Sequence, residues 1–110
     1  MRQYELWWAD LSEPIGRRPV LLLTRSSAYE YLNRVAVVEV TSTIRHIPEE
    51  VSLGPAEGLS RRSVANFDNV HVVPKTRLVG RIGVLAPARI GELKRALGYA
   101  WDWDELKHPA

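Results

Sequence analysis

The sequence predicts a mainly β protein with a C-terminal helix, in which a small, strongly bent sheet or barrel packs against that helix. Short segments rich in β-branched and aromatic residues alternate with turns that contain Pro and Gly. Apolar residues at helical spacing occur only near the end of the chain. A length of 110 residues fits one domain, which we place at 1–110. We therefore expect a single core between a curved sheet and a terminal helix.

The first two strands are predicted from apolar runs. Tyr4–Leu11 is rich in aromatic residues, and its period of two places Leu6 and Trp8 on one face, so Trp8 is expected in the core. After a turn containing Pro and Gly, residues 18–24 form a continuous apolar run, as in a strand that is buried on both sides.

The remaining strands follow at regular intervals. Val35–Thr41 is the strongest β-forming run and is predicted to be a central strand. Residues 43–50 lack apolar periodicity and are expected to form an exposed loop. Further short strands are predicted at 50–53, 63–73 and 78–85.

An amphipathic helix is predicted at the C-terminal end. Pro87 suits the first helical position because its φ angle is already helical. The apolar stripe that follows consists of Ile90, Leu93, Leu97 and Trp101. This spacing places Trp101 in the core, against the sheet.

Composition restricts the possible functions. Hydrophobic residues make up 45% of the chain and charged residues 25%, which is typical of a folded globular protein. The absence of cysteine excludes disulfides, thiolate zinc sites and cysteine nucleophiles. We find no secretory signal and no apolar run near the ~20 residues of a membrane helix, so we expect a cytoplasmic protein without membrane contact.

Common catalytic motifs are absent, and we predict no metal and no cofactor. The three histidines, His46, His71 and His108, are far apart in sequence, so each is interpreted as a surface or strand residue rather than a catalytic one. The formal net charge of +2 permits a polyanion partner without requiring one.

Basic and hydroxyl residues lie at two strand ends. Arg17 and Arg18 begin the second strand, and residues 41–43, Thr-Ser-Thr, end the third. If these strands are antiparallel neighbours, an arginine fork lies beside several hydroxyls, an arrangement suited to phosphate binding. The alternative is structural, with Arg18 in an ion pair with Asp10 or Glu39 and the hydroxyls serving turn formation.

A family resemblance favours the first interpretation. The segment Leu6–Leu11, followed by Pro14, Gly16 and Arg18–Leu23, resembles the opening of the MazF/PemK family of bacterial toxin endoribonucleases. The similarity continues through residues 35–43, 63–70 and 85–97, so it covers nearly the whole chain. It implies a compact SH3-like β-barrel with a C-terminal helix, the fold shared by CcdB and PemK toxins, in a homodimer.

The resemblance also implies a function and partners. Members of the family are toxins of type II toxin–antitoxin systems that cleave single-stranded RNA at short sequence motifs without a metal, and a cognate antitoxin blocks the RNA site. The expected substrate is mRNA, with tRNA and ribosomal RNA as alternatives. Such cleavage uses the 2'-hydroxyl of the RNA as nucleophile and leaves a 2',3'-cyclic phosphate.

Individual residues acquire roles from the same resemblance. Arg18 of the Arg-Pro-Val-Leu motif and Thr41 match the catalytic pair. The residues that we expect to bind RNA are Arg17, Ser42, Arg45, Asp68 and Asn69.

Two alternative functions stay open. One is a gyrase poison of the CcdB type, which shares the fold and cuts nothing, but which acts through a C-terminal Trp-Gly-Ile-like end. Here Trp101 and Trp103 are each followed by Asp. The other is a noncatalytic SH3-like module that binds RNA or peptide, in which Arg18 and Thr41 affect binding or stability but no turnover.

Overall fold

A computed structural model describes residues 1–109 and contains one antiparallel sheet and a C-terminal helical segment. The strands are β1 (Glu5–Asp10), β2 (Arg17–Leu22), β3 (Arg34–Thr41), β4 (Glu50–Leu53), β5 (Ser63–Pro74) and β6 (Leu78–Val84). The helices are α1 (Ile90–Ala100) and α2 (Asp104–Lys107). Within residues 1–109, no helix is both long enough and apolar enough to cross a membrane.

The sheet is curled into a half-barrel with the strand order β4-β5-β3-β2-β1-β6. β3 lies inside the sheet between β2 and β5, as its apolar run predicts. The edge strands β4 and β6 do not pair with each other, and the loop after β4 packs against β6 instead. A 3-10 turn, Pro55–Glu57, follows β4 and reaches β6, where a Cβ added to Gly83 would lie 2.0 Å from the carbonyl oxygen of Glu57. The predicted mainly β fold with a bent sheet and a terminal helix is confirmed.

Both faces of the sheet carry apolar clusters, because the central strands are buried on both sides. On the face covered by α1, Leu21 and Phe67 pack with Leu93 of the helix. On the opposite face, Val20 and Leu22 pack in a second cluster. The prediction that β2 is buried on both sides is therefore confirmed, although the molecule has two clusters and not the single core expected.

The core positions predicted for two tryptophans are wrong. Trp8 is 40% exposed and Trp101 is 56% exposed. Alternation does place Trp8 on the face of Leu6, but the elements that cover Leu6 leave Trp8 open at the end of the sheet. For Trp101 the helical period fails because α1 ends at Ala100, and the N–H of Trp103 turns back to the carbonyl of Gly98 at 2.7 Å.

Candidate active site

The pairing of β2 with β3 brings the predicted arginines and hydroxyls together. The two strands are antiparallel, with Val20 opposite Glu39, and the same register continued to the strand ends places Arg18 opposite Thr41. A cavity of about 520 Å³ opens at this end of the sheet. Four of the predicted site residues line it: Arg17, Arg18, Thr41 and Ser42. The predicted grouping of arginines and hydroxyls is therefore present in the fold.

Arg18 is held from behind by a carboxylate. Its Nη1 donates to Oε1 of Glu39, so the ion pair named in the structural interpretation is formed. The side chain of Arg18 keeps 34% of its surface exposed and also lines the cavity. Since a guanidinium carries five N–H donors, one contact with Glu39 leaves others for a phosphate. The two interpretations are therefore compatible in this structure.

Arg17 takes the other acidic partner considered from the sequence. Its Nε lies 3.0 Å from Oδ1 of Asp10, and both side chains are well exposed. An exposed pair of this kind contributes little to stability, because water screens both charges. Arg17 is therefore free to exchange this partner for a phosphate without a large structural cost.

Thr41 presents a hydroxyl with its proton available. Its Oγ1 accepts a hydrogen bond from the N–H of Thr43 at 3.1 Å, which fixes the position of the oxygen at the end of β3. A threonine hydroxyl has one donor proton in addition to its acceptor lone pairs. Thr41 can therefore donate to a phosphate oxygen or orient a ribose hydroxyl, and Ser42 next to it is exposed.

Three more polar or aromatic side chains line the cavity, and the sequence analysis did not assign them to a site. Trp8, Arg61 and Arg81 all line it. Nε of Arg81 pairs with Oε2 of Glu5 at 2.8 Å, whereas Glu5 itself does not line the cavity. The adjacent Arg61-Arg62 doublet was the available sequence signal for this wall. Arg81 stands between Gly80 and Ile82 and has no basic neighbour in the sequence to mark it.

Three predicted RNA-binding residues lie outside the cavity lining. Arg45 is in the loop after β3, where its N–H donates to the carboxylate of Glu50 at 3.0 Å. Asp68 and Asn69 are exposed in a bulge of β5 opposite Glu39. The structure thus brings the predicted catalytic pair together with Arg17 and Ser42, and it places the other three away from the cavity lining.

The other basic residues between 75 and 89 have partners away from the cavity. Nζ of Lys75 donates to the carbonyl of Tyr29, and Nη1 of Arg77 contacts that of Asp10. Arg89 lies between α1 and β4, and its hydrogen bond with Glu92 is the main cause that raises the pKa of its guanidinium. Positive charge at the cavity therefore comes from β2, the loop before β5, and β6.

Comparison with known proteins agrees with this geometry. Residues 2–100 match the family described as PemK-like, MazF-like toxin of type II toxin–antitoxin system. The chain is 42% identical over 99 residues to the probable endoribonuclease MazF5 of Mycobacterium tuberculosis, covering 89% of this chain and 90% of that protein.

Solved structures show the same fold. The M. tuberculosis toxin MazF-mt6 superposes with a TM-score of 0.84 and 34% identity, covering 89% of this chain and 96% of the other. An endoribonuclease in complex with its cognate antitoxin, from a mycobacterial species, superposes with a TM-score of 0.81 and 26% identity, covering 94% of this chain and 96% of the other. With its family match over nearly the whole chain, the protein belongs to the PemK/MazF family of type II toxin–antitoxin toxins.

Proposed function

We propose that this protein is a toxin that acts as a sequence-selective endoribonuclease on single-stranded RNA, without a metal. The observation that carries the proposal is the position of Arg18 beside the hydroxyl of Thr41 in one cavity. Arginine matches the geometry of a phosphate and stays protonated at all physiological pH values. Family membership supports the same activity, because two of the relatives named above carry the name endoribonuclease or probable endoribonuclease.

The proposed chemistry needs no protein nucleophile. The 2'-oxygen of a ribose attacks the adjacent phosphorus, and the bond from phosphorus to the 5'-oxygen of the next nucleotide breaks. The proton lost by the 2'-hydroxyl is matched by one gained by the leaving 5'-oxygen, which gives a 2',3'-cyclic phosphate and a 5'-hydroxyl. Arg18 stabilises the negative charge that grows on the phosphorane oxygens, and Thr41 donates to a non-bridging oxygen or aligns the 2'-hydroxyl.

The cavity walls fit an unpaired strand. An exposed indole such as that of Trp8 offers a flat apolar surface on which an unstacked base can rest. Arg61 and Arg81 supply positive charge for neighbouring phosphates. Bases in a duplex are already stacked and paired, so this combination favours single-stranded RNA.

The partners follow from the same surface. An acidic antitoxin segment placed over the arginine-lined cavity would occupy the RNA site, and one solved relative is in complex with its cognate antitoxin. We also infer a homodimer, as the family resemblance implies. A toxin that cleaves cellular RNA acts where that RNA is found, so we place the protein in the cytoplasm.

The test is RNA cleavage in excess chelator with the product ends identified. Wild-type protein is expected to cut a long single-stranded RNA and leave cyclic phosphates, whereas Arg18→Ala loses cleavage and stays folded. Arg95→Ala, which removes the same charge from the exposed side of α1, is the matched control and retains full activity. If wild-type protein cuts neither that RNA nor tRNA nor ribosomal RNA, the nuclease proposal fails and a binding or gyrase-directed function replaces it.

A further inference from the structure

A buried carboxylate lies directly behind the cavity. Glu39 in β3 is only 8% exposed, although its side chain ends in a polar carboxyl group. Each of its two oxygens has one partner: Oε1 accepts from Nη1 of Arg18, and Oε2 lies 3.0 Å from Nε2 of His71. These three side chains come from β2, β3 and β5, which are neighbouring strands.

Glu39 acts on the cavity through Arg18. Arg18 lines the cavity, whereas Glu39 and His71 do not. A carboxylate that cannot reach the substrate is not a catalytic group for RNA cleavage. It can fix the direction in which the guanidinium presents its remaining donors, because a planar fork bound at one N–H loses rotational freedom.

His71 completes the arrangement by fixing Glu39. A carboxylate oxygen only accepts, so Nε2 of His71 must carry a proton and donate it to Oε2. The histidine ring belongs to β5, and its side chain is 33% exposed. Because His71 holds Oε2, the carboxylate cannot rotate freely, and Oε1 stays directed toward Arg18.

We propose that Glu39 and His71 are positioning residues for Arg18: His71 orients the Glu39 carboxylate, and Glu39 aims the Arg18 guanidinium at the scissile phosphate. This inference rests on the proposed ribonuclease function and deepens it. The cost of burying Glu39 supports the proposal, since a buried carboxylate persists only where its partners hold it.

The first test separates orientation from charge at Glu39. Glu39→Ala leaves Arg18 charged but free to rotate, so kcat is expected to fall by about 10- to 100-fold, as small misplacements of a catalytic group do, with KM changed by less than about 3-fold. Glu39→Gln keeps an oxygen that accepts from Nη1 and is expected to recover at least about 10-fold of that loss.

The second test addresses His71 in the same way. Gln places an amide N–H where the ring donates, so His71→Gln is expected to keep kcat within about 3-fold of wild type. His71→Ala removes the donor and is expected to lower kcat by about 10-fold with little change in KM. Thermal unfolding of every variant is recorded alongside. Glu92 lies on α1 and pairs with Arg89, away from Glu39. Glu92→Gln removes the negative charge of that pair and is the control, with an unchanged kcat.

The outcomes are distinguishable. If wild-type protein cleaves RNA and Glu39→Ala keeps its kcat, the positioning role is overturned while the ribonuclease stands. If Glu39→Gln does not recover the kcat lost in Glu39→Ala, and the loss follows the fall in thermal stability, Glu39 serves folding alone. That result also overturns the inference. If wild-type protein cleaves no RNA at all, both proposals fall together.

Discussion

The indole of Trp8 is partly packed against the sheet and partly exposed in the cavity. It is 40% exposed, and the residue paired with it on β6 is Gly80, which has no side chain to cover it. A Cβ added to Gly80 would lie 3.8 Å from Cδ1 of Trp8, so the ring extends over that glycine. A flat aromatic surface beside an arginine-lined cavity is suited to stacking on a base.

Replacing Trp8 therefore tests base stacking. Trp8→Ala is expected to weaken RNA binding by about 10-fold or more, because stacking contributes about 1–3 kcal/mol per base. Affinity is measured with an uncleavable 2'-O-methyl oligonucleotide of the cut sequence. Trp8→Phe should retain most of the affinity. Trp101 is more exposed than Trp8 and lies outside the cavity lining, so Trp101→Ala should bind as wild type does. Equal weakening by the Trp8 and Trp101 variants would contradict stacking in the cavity.

Glu5 binds the cavity residue Arg81 and contributes to the stability of the fold. Burial alone would raise its pKa, but hydrogen bonds from Arg81, from the indole of Trp7 and from the N–H of Arg2 outweigh burial and lower the pKa. A carboxyl whose folded pKa is lowered stabilises the fold above its unfolded pKa, about 4.3. That stability is lost as the pH falls through the folded value.

Glu5→Gln should accordingly lower the free energy of unfolding by about 1 kcal/mol at pH 7, since Arg81 is half exposed and water weakens the pair. Thermal unfolding followed from pH 7 to pH 3 should show the difference between the two proteins shrinking below pH ~4.3. A difference that stays constant over this range would assign the effect to packing instead of to the charge.

At the level of elements, a loop closes the half-barrel and also forms a wall of the cavity. The 3-10 turn Pro55–Glu57 meets β6 at Gly83, and the residues directly after it line the cavity. Glu57 stiffens the turn, because its carboxylate accepts from the N–H of Gly54 at 2.7 Å and pairs with Arg89 at 3.4 Å. The approach of this loop to β6 therefore contributes both to closure of the sheet and to the shape of the cavity.

Adding a methyl group at that contact should disturb both. In Gly83→Ala, the new Cβ would lie 2.0 Å from a backbone oxygen, so the turn must move. We expect a loss of about 1–3 kcal/mol in unfolding free energy, together with reduced RNA cleavage. Gly91→Ala is the matched control: its Cβ meets no atom within 4 Å, and alanine in a helix stabilises by up to about 1 kcal/mol. Unchanged stability in Gly83→Ala would show that the turn is not needed for closure.

For the molecule as a whole, the distribution of charge matters more than its sum. The formal net charge is only +2, yet four arginines line one cavity: Arg17, Arg18, Arg61 and Arg81. The carboxylates that pair with three of them, Asp10, Glu39 and Glu5, are absent from the lining. An approaching polyanion therefore meets positive charge first.

RNA binding should consequently weaken as salt concentration rises. For single strands, each neutralised phosphate contributes a slope of about −0.7 to the dependence of log K on log salt. Arg61→Ala should reduce the magnitude of the slope by about 0.7, whereas Arg95→Ala on the exposed side of α1 should leave it unchanged. Fluorescence anisotropy over a tenfold salt range measures both values, and a flat dependence in wild-type protein would contradict phosphate-centred binding.

The strands could be predicted because their signals are local. The run at Val35–Thr41 and the apolar stretch of β2 depend only on nearby residues, and the structure has both strands as expected. The juxtaposition of Arg18 with Thr41 followed from strand order and antiparallel direction. Predictions that required knowing what covers a face were the ones that failed, as Trp8 and Trp101 show.

The sequence by itself determined the mainly β class, the terminal helix and the family, since these depend on patterns along the chain, and it predicted that Arg18 and Thr41 lie together. Only the tertiary structure decided that Trp8, Arg61 and Arg81 share the cavity, and that His71 contacts Glu39 behind Arg18. The contacts of Glu39 with Arg18 and His71 join residues 21 and 32 positions apart, and the curl of the sheet and the loop at Gly83 set which residues meet. No periodicity along a single strand contains that information.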